Sequence, residues 1–190
     1  MNNTSKATLS TEDRKTFFRL FMPLIDYTNQ VFGVSELLNK QLRYGRPSHH
    51  ELKMVADVIW ENTNIIDEYI VAVEKQCDFE EADRRLLESW RNPVPGHFVL
   101  ERHLTKGSIF INSETEFVYL VKGISDPWGV MLKDLTTPIL LRTTLIPFRN
   151  SIISDGLIIL ENVCLGAGYR NSFKDIYMNA KRSSRIITSF

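Results

Sequence analysis

The spacing of apolar residues changes at one segment of the chain, Trp90-Arg91-Asn92-Pro93-Val94-Pro95-Gly96. Before it, apolar residues recur every three or four positions, which is typical of helices that bury one face. After it, short apolar runs alternate with polar residues between turn residues, which is typical of strands. We therefore predict an α+β protein in which a helical bundle over residues 1–92 packs on a small bent antiparallel sheet or partly open barrel over residues 93–190.

The N-terminal pattern predicts about four helices. Ser10 and Asp13 resemble the start of the first helix, and Gly33 ends it. Pro23 lies within its apolar stripe and predicts a kink or a break, because proline in a helix interior costs about 3 kcal/mol.

The remaining predicted helices follow at short intervals. One covers about residues 35–43 and ends in the turn 44–47. A capping box at Ser48-His49-His50-Glu51 opens the next, which we expect to continue to about Lys75 although Asn62 interrupts its apolar stripe. The last opens at Asp78-Phe79-Glu80-Glu81 and reaches Trp90.

The C-terminal pattern predicts strands joined by short turns, which favours antiparallel hairpins. Helices are expected near residues 125–134 and 171–183. The segment Pro93-Val94-Pro95 predicts a stiff connector and a fixed contact between the two halves, with Trp90 in or near it. The predicted strands are His97–Leu104, Ser108–Asn112, Glu116–Lys122, Pro138–Phe148, Ser151–Ile153 and Leu157–Cys164.

Composition narrows the function only slightly. The 190 residues hold 23 basic and 23 acidic side chains, with a net charge of −3 over the first 92 residues and +3 over the rest. That asymmetry is well below the charge of a typical nucleic-acid-binding domain. The polar N-terminus and the absence of any apolar stretch of about 20 residues favour a cytoplasmic protein without a membrane partner. We expect Cys77 and Cys164 to be buried free thiols.

Histidines and carboxylates are the first place to look for a metal site. His49 and His50 are adjacent within a capping box, which favours a solvated helix start. His97, Glu101 and His103 share one face of the first strand, and Glu101 with His103 could hold a metal if a third ligand joined them. The sequence identifies no such ligand, so we expect solvated sheet surface, no metal and no cofactor.

Arg102 and Arg142 are unusual charges for their strands. Arg102 has the parity of the core residues Leu100 and Leu104, and Arg142 lies within the apolar run Ile139–Ile146. A buried arginine needs a carboxylate partner, so we expect Arg142 to pair with Glu116, Asp155 or Glu161, and its loss to cost roughly 3 kcal/mol. The alternative is an anion site formed by Arg102, Arg142 and Arg149.

The last predicted helix offers a weak case for nucleic acid. Gly166-Ala167-Gly168 precedes it and resembles a phosphate-binding loop, although strand-to-helix turn glycines explain it equally well. Phe173 and Tyr177 fall on the apolar stripe and are expected in the core. The candidate nucleic-acid contacts are Arg170, Lys174, Lys181 and Arg182.

No catalytic motif is present, and Cys164 is expected to be a packed thiol without a catalytic histidine. The favoured function is a non-enzymatic protein-interaction module, whose cleft between bundle and sheet or exposed sheet edge receives a protein partner or a second copy. Nucleic-acid binding by a small barrel is the alternative. An enzyme would need Arg142 or Glu161 to converge with His97 or His103.

The C-terminal half resembles a family of uncharacterised bacterial proteins. The resemblance rests on Trp90 and on four segments that follow it. Some members carry a cysteine-rich zinc knuckle of the SEC-C type, which the residues up to Phe190 do not contain. The resemblance therefore implies that the chain is a member of this family, but it implies no metal role, no activity and no catalytic residues. The four segments are Gly96–Leu104, Phe117–Gly123, Thr143–Phe148 and Ile152–Leu157.

Overall fold

The computed structural model describes residues 4–44, 46–75 and 79–190. It has a helical N-terminal region and a six-stranded mixed sheet, which confirms the predicted α+β class. The chain forms two compact units. One, the helical unit, is Lys15–Pro93; the other, the barrel unit, combines the chain up to Arg14 with Val94–Phe190. The division near residue 93 coincides with the change in apolar spacing.

The helical unit holds most of α2 and all of α3 to α6. The cap of α2 is as predicted, because the Asp13 amide donates to Ser10 Oγ at 3.1 Å. Gly33 ends α2 with a φ of +62°. The helix bounds are α1 Thr4–Ala7, α2 Thr11–Phe32, α3 Glu36–Tyr44, α4 His49–Glu61, α5 Asn64–Glu74 and α6 Glu81–Ser89.

The predicted break at Pro23 is absent, and the helix expected from residue 48 to about 75 is divided. Helix α2 runs through Pro23 without a break, because Leu20, Phe21, Leu24 and Ile25 are buried on both sides of the proline and hold the helix by packing. The helix expected from residue 48 to about 75 is instead two helices, α4 and α5. They separate at Asn62, whose amide donates to the Val58 carbonyl at 3.1 Å.

Half of the predicted capping box is present. The Glu51 amide donates to Ser48 Oγ at 3.3 Å, but the Glu51 carboxylate accepts from the Ser35 hydroxyl instead of reaching back. Trp90 is fully buried against Phe17 and Phe21, at ring-centroid distances of 5.9 and 6.1 Å, so its packing lies within the helical unit. The fixed contact between halves stays a prediction. Gly45, Cys77 and Asp78 lie outside the described residues.

The strands of the barrel unit close on themselves. Strands β1, β2 and β3 form an antiparallel meander, β5 runs parallel to β3, and β4 is antiparallel to both β5 and β1. The order β1-β2-β3-β5-β4-β1 is therefore a closed five-stranded barrel. The short β6 adds to β4 at Leu141 and Arg142. The bounds are β1 Val94–Leu104, β2 Gly107–Asn112, β3 Val118–Lys122, β4 Ile139–Phe148, β5 Ser151–Ser154 and β6 Ile159–Leu160.

The expectation of a wholly antiparallel sheet is wrong at the β3–β5 pair. Between these strands the chain forms α7, Trp128–Met131, and then β4, so β5 returns to β3 in the parallel sense. The proposed connector is also part of the sheet, because Val94 and Pro95 pair with β4. The order β4-β1-β2-β3 is a Greek key, and with closure it gives the topology of OB-fold barrels.

The barrel interior and its outer face are both covered. Phe98, Leu100 and Phe110 are fully buried inside, and Trp128 of α7 packs on Phe110 with 5.0 Å between ring centroids. On the outside, α8, Ala167–Arg182, covers β2 and β3 through Tyr177 and its neighbours. Among the described residues, no helix is long and apolar enough to cross a membrane.

Candidate functional site

Arg102 is held by its neighbours on the outer face of the barrel. A β-bulge between Leu100 and Arg102 shifts the register of β1, so Arg102 does not follow Leu100 into the core as its parity predicted. Its guanidinium makes a bidentate pair with Glu101 and lies 4.3 Å from the centre of the Tyr177 ring. The hydrogen bonds to Glu101 raise the pKa of Arg102 further above its ordinary value.

Arg142 has no carboxylate partner among the described residues, so the predicted ion pair is wrong. It is half-buried, opposite His97 on β1 and Ile159 on β6. Two of the expected partners have other contacts. Asp155 accepts from the Thr143 hydroxyl and the Leu157 amide. Glu161 Oε1 lies 3.4 Å from His97 Nε2. The prediction was wrong because it treated Arg142 as buried together with the apolar residues around it. Side chains of a strand alternate between its two faces, so Leu141 enters the barrel interior whereas Arg142 lies on the outer face.

Arg149 lies in the turn between β4 and β5 and pairs with Asp13 at 2.7 Å. Along the strands, Arg142 is separated from Arg102 by about 16 Å and from Arg149 by about 23 Å. The structure therefore does not gather the three arginines of the hypothetical anion site. Two of them are already neutralised by carboxylates.

The histidines of β1 separate in the same way. Glu101 forms an ion pair with Arg102, whereas His103 Nδ1 lies 2.8 Å from Ser108 Oγ. Partial burial lowers the pKa of His103. His97 does meet Glu161 on the outside of the barrel, with Arg142 as its cross-strand neighbour. The described part of the chain contains no group of three His, Cys, Asp or Glu side chains that could hold a metal.

The glycine segment expected before the last helix forms the start of that helix. Helix α8 begins one turn earlier than expected, so Gly166 is its N-cap and Ala167 and Gly168 lie in the first turn. Cys164 is exposed, contrary to expectation, because β6 ends at Leu160 and the chain beyond it leaves the sheet. Tyr177 is buried and Phe173 half-buried, as predicted.

The basic residues of α8 are exposed. Arg170, Lys174 and Lys181 fall within about 40° of one another around the helix axis, and Arg182 lies about 100° from Lys181. The stripe is interrupted by the buried Tyr177, and Arg170 donates to the Leu165 carbonyl at 2.8 Å. These four residues thus form a discontinuous basic surface.

A more concentrated positive charge lines a cleft at one end of the barrel. The cleft has a volume of about 340 Å³ and contains three lysines, Lys6, Lys106 and Lys122. We call it the lysine cleft. Its other walls come from β3, from the turn between β4 and β5, and from the C-terminal segment, through Leu120, Asn150, Ser151 and Thr188.

Contacts at the end of β3 bring the lysines together. The turn that carries Lys106 ends at Gly107, where a Cβ would lie 2.7 Å from the Val121 carbonyl, so only glycine lets the turn approach this closely. The segment that carries Lys6 is fixed because the Gly123 amide donates to the Ala7 carbonyl at 2.9 Å. Lys122 lies between these two contacts.

The three lysines are not neutralised by the protein. Within the described residues, none of them has a carboxylate within 4 Å, and no acidic side chain lines the cleft. Like charges held together attract anions, since a bound anion relieves their mutual repulsion. Sequence reasoning missed this site because its lysines lie in three distant segments, and no local motif marks them.

Comparisons with known proteins place the chain in no group. No family model matches it, and no match was found among curated proteins or solved structures. The resemblance to uncharacterised bacterial proteins stays a prediction.

Proposed function

We propose that the barrel unit binds single-stranded nucleic acid through the lysine cleft. The observation that carries the proposal is the convergence of three lysines without carboxylate partners in one cleft. Single-strand binding proteins use positively charged grooves that follow the phosphate backbone. This is the alternative that the sequence pattern ranked second.

The position of the cleft supports the same function. In OB-fold barrels, the turns after β1 and β4 and the face of β2 and β3 are the common binding surfaces for oligonucleotides. Here Lys106 lies in the first of these turns and Asn150 in the second. Helix α8 covers the outer face of β2 and β3, which leaves the barrel end as the accessible part. Topology alone does not imply function, so the charge in the cleft is the stronger argument.

The cleft suits a single strand better than a duplex. It is an open cleft of about 340 Å³, lined by residues of the N-terminal segment, two turns and the C-terminal segment. A flexible strand can lay a few phosphates into such a space, whereas the rigid width of a double helix keeps its backbone outside.

The protein-interaction hypothesis loses one of its supports. It depended partly on an exposed sheet edge, but closure through the β1–β4 pair removes the edges that a flat sheet would leave. The two-residue β6 adds only a short edge. A protein partner stays a prediction that these contacts do not test.

Titration of a fluorescent oligothymidine of about twelve nucleotides, followed by anisotropy over a series of salt concentrations, tests the proposal. The triple variant Lys6→Gln, Lys106→Gln, Lys122→Gln should bind more weakly. Its plot of log affinity against log salt should be shallower by about 2, since each phosphate contact contributes about 0.7 for single strands.

Two matched variants separate the cleft from other basic surfaces. Lys40→Gln with Lys133→Gln removes exposed lysines outside the cleft and should leave affinity unchanged. Neutralising Arg170, Lys174, Lys181 and Arg182 tests the α8 surface. Absence of binding at low salt, or equal affinity of the triple variant and the wild type, would refute the proposed function.

A further inference from the structure

A second cleft lies on the barrel unit, next to the C-terminal segment. It has a volume of about 350 Å³ and lies between the turn that precedes β3 and the C-terminal part of α8. Its apolar lining includes Phe117 together with Val118, Ile176 and Ile187. We call it the Phe117 cleft.

The Phe117 cleft joins an aromatic face to polar groups. Phe117 is 58% exposed, which is unusual for a phenylalanine in a small barrel and leaves its ring open to a ligand. Asn179, Arg185 and Glu116 also line the cleft. Among the described residues, Arg185 has no carboxylate within 4 Å; its Nε donates to Ser183 Oγ at 2.8 Å. The cleft therefore offers a ring to stack on and both donors and acceptors at its rim.

This chemistry fits a nucleobase better than a phosphate. A base presents a flat π-face for Phe117 and edge groups that amide, guanidinium and carboxylate side chains can bond. Glu116 would repel a phosphate, whereas it can accept from the amino group of a base. The lysine cleft has no acidic lining and therefore suits the phosphates of a nucleotide, whereas the Phe117 cleft suits its base.

The two clefts are close enough to serve one strand. Val118 lines the Phe117 cleft and Lys122 lines the lysine cleft, and four residues of β3 span about 13 Å. Ile187 and Thr188, consecutive in the chain, line one cleft each. A short stretch of single strand that crosses these two residues reaches both clefts.

We propose that the Phe117 cleft binds a base of the same single strand whose phosphates contact the lysine cleft. This inference rests on the proposed function, and it adds that binding depends on the bases as well as on charge.

The test compares two oligomers of equal charge and length, an oligothymidine and an abasic oligomer with the same phosphate backbone. The wild type should bind the oligothymidine about tenfold more tightly, since stacking of one base on an aromatic side chain has that effect on affinity. Phe117→Ala should abolish the difference while leaving the affinity for the abasic oligomer unchanged. Phe117→Trp should preserve it.

Tyr44→Ala is the matched control, because Tyr44 is 88% exposed and lies in the helical unit. It should not change either affinity. Equal affinity of the wild type for the two oligomers, or an unchanged ratio in Phe117→Ala, overturns the base site and leaves the lysine cleft in place. Failure of both oligomers to bind overturns the proposed function and the base site together.

Discussion

Asp155 and Arg142 show how differently a charge is accommodated inside and outside the barrel. Asp155 is 1% exposed, and its Oδ1 accepts from the Thr143 hydroxyl at 3.2 Å and the Leu157 amide at 3.0 Å. Arg142 lies on the outer side of the same sheet and keeps part of its side chain in water. The buried carboxylate is therefore tied to the turn after β5, whereas the arginine is not tied to any acid among the described residues.

Replacing these two residues should have unequal effects on stability. Arg142→Ala should lower the free energy of unfolding by no more than about 1 kcal/mol, because only the packing of its aliphatic stem is lost. Asp155→Ala should lower it by about 2 kcal/mol, because the buried Leu157 amide loses its acceptor, whereas the Thr143 hydroxyl keeps the Leu157 carbonyl at 3.1 Å. Chemical denaturation of both variants measures the difference. A loss of about 3 kcal/mol in Arg142→Ala would show that Arg142 has a partner in solution.

His103 should make the barrel less stable in acid. Partial burial lowers its pKa in the folded protein, so the unfolded chain takes up the proton at higher pH. The contribution of neutral His103 is then complete above the unfolded pKa of about 6.5 and is lost as the pH falls through the folded pKa.

His103→Gln should consequently reduce the fall in stability below a pH of about 6.5. Burial also lowers the pKa of His49, so part of the wild-type decline should persist. His50→Gln is the control, since the side chain of His50 is 78% exposed. Unfolding free energies at a series of pH values give the slopes, and a steeper slope in His103→Gln would contradict the assignment.

At the scale of secondary structure, Gly123 joins three segments. Its amide donates to Ala7, its carbonyl accepts from Leu9, and it opens the turn toward α7. A Cβ at this position would lie 1.9 Å from the Asp126 carbonyl oxygen, so the turn cannot accept a side chain without moving. Gly168, in contrast, lies in α8, where a Cβ would meet nothing within 4 Å.

The two glycines should therefore respond to alanine in opposite directions. Gly123→Ala should lower stability by more than about 2 kcal/mol, because backbone must shift to relieve the clash. Gly168→Ala should raise it by up to about 1 kcal/mol, because alanine has the higher helix propensity. Thermal unfolding distinguishes the two. A neutral Gly123→Ala variant would mean that the turn from Gly123 to Pro127 has another conformation in solution.

At the scale of the whole molecule, local patterns and long-range pairings were not equally predictable. The sequence located most elements to within a few residues. The change of apolar spacing at Trp90 and the turns around Gly107 and Arg149 could be recognised because each depends only on residues that are close together in the chain. The parallel pairing of β3 with β5 depends on a return after α7 and β4, which no local pattern encodes. The lysine cleft was missed for the same reason, since contacts at the end of β3 bring its lysines together from three segments of the chain.

The N-terminal segment provides the last test, because it is part of both the barrel and the cleft. Ala7 and Leu9 are 8% and 9% exposed, and their backbones form two hydrogen bonds with Gly123, at 2.9 and 3.0 Å. Lys6 lies beside them in the lysine cleft. A chain that begins at Ser10 loses these contacts, which should lower barrel stability by roughly 3 kcal/mol.

The protection of the β1 to β5 amides from hydrogen exchange measures this loss of stability in the barrel separately from the helical unit. The truncated chain should also bind oligothymidine more weakly. Lys6→Gln in the full chain separates the two effects, since it should weaken binding to the same strand while leaving exchange protection unchanged.

Unchanged protection in the truncated chain would show that the segment does not stabilise the barrel. Unchanged affinity in Lys6→Gln would remove Lys6 from the cleft's binding role, because a lysine that contacts phosphate cannot be neutralised without a change in salt dependence.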